Sequence, residues 1–198
     1  MNNLGIVKYR IILKQLGSYG IRQHRMPSPE ELNELKQLKK KRGTVPSKEE
    51  KDLMFRIFRY WDKKKGYYQP SRQIKKALIL AGAGERIPGR GKETFVKYLK
   101  SGILITSERI YHKRQKDVKL IGKWIKKPRG ETVWSVKIEI NNWELEPFTI
   151  ENLVPEIIDE TSLRMLLTKA GLFFGLGADR VALGYNYGRF EIKELKKL

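Results

Sequence analysis

Hydrophobic and polar positions alternate in the first ordered run of the chain. In IVKYRIILK, Val7, Tyr9, Ile11 and Leu13 fall on one side and Lys8 and Arg10 on the other, the period-two signature of a half-buried strand. Gly17 and Gly20 punctuate the following QLGSYGIRQHRM as a loop. The period then lengthens. Ser28 caps a helix that has Pro29 at its first position and Glu30 and Glu31 in its first turn. Its basic end, KQLKKKRG, stops at Gly43. Ser47 and Glu50 form a capping box before Leu53, Phe55, Ile57 and Phe58. WDKKKGYYQP breaks that helix, and Ser71 is placed to cap SRQIKKALILAG. GRGKETFVKYLKSG reads as a shorter helix between glycines. Period two returns in GILITSERIYHKR, VKLIGKWIKK and TVWSVKIEI, where Trp134, Val136, Ile138 and Ile140 share a face after a Pro128–Gly130 turn. TSLRMLLTKAGLFFG is an amphipathic helix, and YGRFEIKEL closes the chain as a strand with Phe190 and Ile192 inward.

Compressed, the order is βαββαβ. It predicts an α+β chain with a ferredoxin-like (RRM-like) antiparallel sheet, helices on one face, and a helical insertion over 28–61 after the first strand. The expected organisation is one domain over 1–198. No run approaches the ~18 apolar residues of a membrane span, and the charged N-terminal stretch is not a secretory signal. The absence of cysteine excludes disulfides and thiolate metal sites, which suits a reducing cytoplasm.

Charge changes the picture most. The formal net charge is +20, from 42 Lys and Arg against 22 Asp and Glu. By segment it is +6 over 1–50, +10 over 51–100, +4 over 101–150 and zero over 151–198. A balanced thermophile-like surface would not give this excess. Regional basic clustering is the footprint of a polyanion partner.

The candidate chemistry gathers in three basic segments. One is GIRQHRM, with Arg22, His24 and Arg25. A second holds Lys63, Lys64, Lys65, Arg72, Lys75 and Lys76 around the Pro70–Ser71 turn. The third is AGLFFGLGADRVALGYNYGRFEI, where Gly171, Gly175, Gly177, Gly184 and Gly188 surround Arg180. Glycines there either let backbone N–H groups approach phosphates, with Arg180 adding a fork of donors, or simply make a tight turn. Tyr67, Tyr68, Tyr185 and Tyr187 are placed to stack exposed bases or to pack strand ends. GERIPGRGKE, with Arg86, Arg90 and Lys92, reads as a basic loop able to fold over a strand.

The terminal GLGADR…YGRFEI resembles the glycine-rich loop of the RAMP superfamily, the ferredoxin-like RNA-binding proteins of CRISPR systems. GYYQPSRQIKKALILAG is similar to that superfamily's Y-I-P-G-S-S-I-K-G-A-L-R segment: Tyr68, Pro70, Ile74, Lys75, Ala77 and Leu78 match. Gln69 and Arg72 depart, and Lys76 stands where the family has glycine. The resemblance is closest to the effector-backbone branch and its stand-alone viral and mobile-element relatives. It implies single-stranded RNA or a guide ribonucleoprotein as partner, with self-association along the strand. It also implies a protruding element, for which the 84–93 loop and the 28–61 insertion are candidates.

Two other readings stay open. A further RAMP branch cleaves RNA without metal through a histidine, which points to His24; His112 reads as a surface residue. The third reading is a viral or mobile-element protein that binds single-stranded DNA or a host complex. Metal catalysis is not expected: Asp52, Asp62, Asp117, Asp159 and Asp179 are scattered, and the loop after the first strand lacks the acid that the resemblance implies for effector backbones that cut their targets. Asp179 reads as a salt-bridge partner of Arg180. No cofactor is expected. The furrow reading requires the Pro70 helix start and the terminal turn to meet.

Overall fold

A computed structural model describes residues 5–38, 45–113, 115–126, 130 and 132–198. Its ten strands are β1 (Val7–Gln15), β2 (Ile21–Gln23), β3 (Trp61–Asp62), β4 (Gly66–Pro70), β5 (Ile103–Ile105), β6 (Arg109–Tyr111), β7 (Val118–Lys126), β8 (Thr132–Ile140), β9 (Phe148–Asn152) and β10 (Phe190–Lys197). The helices are α1 (Pro29–Leu38), α2 (Lys48–Ile57), α3 (Ser71–Ala83), α4 (Val96–Gly102) and α5 (Glu160–Lys169). No helix among the described residues is long and apolar enough to cross a membrane.

The central sheet runs β10-β1-β9-β5, antiparallel throughout. With α3 and α4 between β1 and β5, and α5 between β9 and β10, this is the ferredoxin-like βαββαβ arrangement expected from the patterning. Alternation in β1 buries Tyr9, Ile11 and Leu13 against Ile74, Leu78, Leu99, Leu163 and Leu167 of the helices. The other face of the sheet carries Lys8–Glu151 at 2.7 Å, Lys14–Glu191 at 2.9 Å and Arg10–Glu194 at 3.4 Å. Ion pairs thus link its strands, although Arg10 also lies opposite Lys196.

Several elements differ from the sequence reading. The third core strand is β9, whereas the strongly alternating 132–140 run is β8. β8 pairs with β7 as a long ribbon that β2 joins only at residues 138–140. Lys123, Trp124, Ile125 and Lys126 on β7 are exposed, as are Arg86, Arg90 and Lys92 of the 84–93 loop. α2 packs on β8, and Lys51 Nζ lies 5.9 Å from the Trp134 ring centroid. GILITSERIYHKR splits into β5 and β6, which belong to different sheets. WDKKKGYYQP makes a small hairpin, giving the third sheet β3-β4-β6.

Both capping boxes form: Glu31 N–H donates to Ser28 Oγ at 3.3 Å, and Glu50 N–H to Ser47 Oγ at 3.2 Å. Ser71 instead sits inside α3, with Pro70 at the cap position and no side-chain cap bond. Residues 39–43 of the basic KQLKKKRG end, and Pro128 and Arg129 of the ribbon turn, lie outside the described residues. Ile192 is only half-buried.

His112 is not a surface residue. It is 1% exposed, edge-on to Trp143 with ring centroids 6.1 Å apart. Desolvation pushes its pKa from 6.5 down to about 3. Between those values the unfolded chain takes up a proton that the folded chain refuses, so this group's contribution to stability is full above pH 6.5 and drains as pH falls toward 3. Urea unfolding is expected to show a loss of about 2 kcal/mol from pH 7 to pH 5, reduced to a fraction of that in His112→Leu. Equal pH dependence in the two proteins would refute this assignment.

Candidate nucleic-acid interface

After α5 the chain continues through a wide helical turn, Ala170–Phe174, and leaves it at Gly175 with φ +66°. From there the loop is stitched to its neighbours by its own backbone. Gly175 N–H donates to Ala170 O at 2.8 Å, Leu176 N–H to Gly188 O at 2.9 Å, and Ala178 N–H to Arg22 O at 2.6 Å. Gly177 N–H donates to Gln73 Oε1 at 3.0 Å. The amides of 175–178 are thus all used within the protein, and Gly175 and Gly177 do not form an open phosphate cradle. Glycine is needed because the backbone comes so close: a Cβ on Gly177 would overlap the Arg22 carbonyl oxygen.

Gln73 makes the terminal loop and the α3 start meet. Besides holding Gly177, its side chain accepts from Gln69 Nε2 and donates to Tyr60 Oη at 3.5 Å. Gln23 completes the set, donating to Tyr68 O at 2.9 Å and accepting from Tyr60 N–H at 3.1 Å. Gln23 and Gln69 are fully buried. Paired amides at these depths fix the relative position of β2, β4, α3 and the loop, because leaving any of them unmade costs its desolvation. Sequence reading missed all three glutamines, whose partners are distant in the chain.

Between these segments lies an open cleft of about 490 Å³, lined by His24, Arg72, Gln73, Lys76, Gly177, Ala178 and Arg180. Three permanent cations line it and, among the described residues, no carboxylate does. Arg180 donates to Gly177 O at 3.3 Å, and among the described residues Arg72, Lys76 and Arg180 have no ion-pair partner. His24 is exposed at the rim, stacked on Phe58 with centroids 4.6 Å apart. Its Nδ1 lies 2.9 Å from Val136 O. A carbonyl only accepts, so Nδ1 is the donor in this contact and Nε2 is the nitrogen left for another partner.

Other expected residues lie elsewhere. Arg22 is 9% exposed and bonds Glu139 at 2.8 Å and Asp179 at 3.0 Å. Asp179, with φ +53°, pairs with Arg22 and Lys137 and not with Arg180. Burial pushes its carboxyl up, but the hydrogen bonds from Lys137 and Arg22 outweigh this and hold it below the usual range. The network therefore ties the loop to the ribbon and leaves Arg180 to the cleft. Lys75 turns toward β5 and donates to Ile103 O, with burial lowering its pKa. Helical geometry separates it from Lys76 by about 100°. Arg25 is held by Glu31 at 2.6 Å. Tyr67 is buried against Trp61.

Arg86, Arg90 and Lys92 are exposed but follow the far end of α3, whose 13 residues span roughly 20 Å. Lys64 and Lys65 are exposed, on the turn between β3 and β4. Tyr185 is 49% exposed on the terminal loop. Ser71, Arg72 and Tyr68 border a second cleft beside the first. Among the described residues no cluster of His, Asp and Glu could hold a metal ion.

No family model matches the chain, and neither does any curated protein sequence. Among solved structures it is similar to a chain in the cryo-EM structure of the Type III-B Cmr-beta bound to cognate target RNA, with 15% identity and a TM-score of 0.51. The match covers 98% of this chain and 61% of that one, so the chain spans less than two thirds of its neighbour. What the two share is the fold: helices and antiparallel sheets in the ferredoxin-like arrangement.

Proposed function

We propose that this chain binds single-stranded RNA through its sugar–phosphate backbone, as a RAMP-like subunit of a CRISPR-type ribonucleoprotein in which copies line up along one strand. The observation that carries the reading is the cleft where Arg72, Lys76 and Arg180 converge with no carboxylate among its lining residues. Arg presents a rigid donor fork to phosphate oxygens, and Lys a mobile point charge. Contacts of this kind give affinity without reading sequence. The neighbour's RNA-bound context adds support by analogy of fold.

Filter binding of matched RNA and DNA strands tests it. RNA is expected to bind more tightly, since only RNA offers the 2′-OH. Three engaged cations give a slope of log K against log salt of at least about −2 for a single strand. Equal binding of DNA would transfer the cleft to the reading as a viral or mobile-element DNA-binding protein, and salt-insensitive binding would refute it.

A second reading rests on His24. It lines the cleft together with three cations, and its Nδ1 is engaged by Val136 O, which leaves Nε2 as the free ring nitrogen. There Nε2 would take the 2′-OH proton while the 2′-oxygen attacks phosphorus and the 5′-oxygen leaves, taking its proton from water. Arg72, Lys76 and Arg180 would stabilise the charge gathering on the phosphorane. Labelled hairpin RNA that stays intact with stoichiometric protein in EDTA removes this reading.

A further inference from the structure

The small sheet β3-β4-β6 has one face that neither the core nor the cleft uses. Tyr68 lies directly opposite Tyr111, and Pro70 opposite Arg109. Period two sets these four on one side, where Arg109 is exposed, Tyr68 and Tyr111 are half-buried and Pro70 is buried, and puts Tyr67, Gln69 and Ile110, all buried, on the other. The Tyr68 and Tyr111 ring centroids are 6.0 Å apart, and Tyr60 backs Tyr68 at 5.7 Å. Each outer ring has a cation over its face, which an incoming base would displace: the Arg109 guanidinium is 5.0 Å from the Tyr68 centroid, and Lys65 Nζ is 5.0 Å from that of Tyr111. Asp62 pairs with Arg109 at 3.0 Å, an exposed ion pair that Arg109 can leave at little cost.

A cleft of about 360 Å³ opens over this face, lined in part by Tyr60, Tyr68 and Arg109. Arg72 lines both this cleft and the cationic one, so the two adjoin it at the start of α3. The other face of the central sheet, by contrast, carries cross-strand ion pairs.

We infer that the β3-β4-β6 face is a nucleobase-stacking platform, where Tyr68 and Tyr111 take unpaired bases of the strand whose phosphates lie at Arg72, Lys76 and Arg180. The inference rests on the proposed RNA binding and adds the path of the strand. A base laid on either ring leaves its phosphate within reach of Arg109 or Lys65, whose long side chains swing from ring to phosphate. Stacking of this kind tolerates any base, because every base has a π-face.

The test compares a ribo-oligonucleotide with a strand of equal length carrying abasic sites throughout, on the full chain and on a Tyr68→Ala/Tyr111→Ala variant. Unaltered protein is expected to prefer the base-bearing strand by about 5- to 150-fold for each engaged base. The double variant is expected to lose that preference while keeping the abasic affinity. Equal affinity of the unaltered protein for both strands, or a preference retained in the variant, overturns the platform and leaves the cleft reading standing. No binding of either strand overturns both. A 2-aminopurine base in the strand reads the same contact without any substitution. Its emission is expected to fall on binding, and unchanged emission overturns the platform.

Discussion

Replacing Arg72, Lys76 and Arg180 together by glutamate is expected to lower affinity for single-stranded RNA by about a thousand-fold, roughly ten-fold for each reversed phosphate contact. The salt slope should flatten by about 2, because each lost neutralisation removes about 0.7 from it. These side chains line an open cleft and have no ion-pair partner among the described residues, so each substitution should leave stability within about 0.5 kcal/mol. The comparison set is Arg86, Arg90 and Lys92, equally basic but at the far end of α3. Reversing them should cost only the modest, long-range part of the attraction. If both triple reversals weaken binding equally, the chain attracts RNA by net charge alone and the cleft has no special role.

Gly188→Ala carries the second large effect, this time on the fold. Gly188 has φ +74°, and a Cβ there would fall inside the shell of the Leu176 carbonyl oxygen. Its N–H donates to Gly20 O at 2.9 Å, and its own carbonyl accepts from Leu176. The substitution must therefore move backbone that is bonded on two sides. The expected loss is about 4 kcal/mol, the left-handed penalty plus the displaced hydrogen bonds. Gly184 is the control: it has φ +81°, but nothing lies within 4 Å of its Cβ position. Gly184→Ala should lose only about 1–2 kcal/mol, the left-handed penalty alone. Thermal or urea unfolding reads both. Similar losses at the two positions would mean that the loop is not clamped as described.

These contrasts mark how much of the molecule could be read from the chain. The βαββαβ order was legible because Tyr9, Ile11 and Leu13, and the helix faces around Ile74 and Leu163, repeat at the right periods. β9 was not: its inward residues are only Phe148, Ile150 and the polar Asn152, and Pro147 just before them reads as a break. β8 took its place because nine alternating residues outweigh three.

At the site, Arg72, Lys76, Arg180 and His24 were found by charge. Charge could not separate Lys76 from Lys75, which one step of helix sends to another face. Nor could it show that Arg22 is consumed by Glu139, which lies 117 positions away. The Gln23–Gln69–Gln73 amide set left no trace, because a buried glutamine looks like a surface one until its partners are known. Asp179 was read as the partner of its neighbour Arg180, but its left-handed backbone carries the carboxylate toward Arg22 and Lys137.

Photocrosslinking of 4-thiouridine RNA, followed by peptide mapping, tests the cationic cleft most directly. Crosslinks are expected in the peptides spanning 68–76 and 175–187. Crosslinks confined to the ion-paired sheet face, at residues 8–14 and 191–194, or spread evenly over every basic segment, would contradict it.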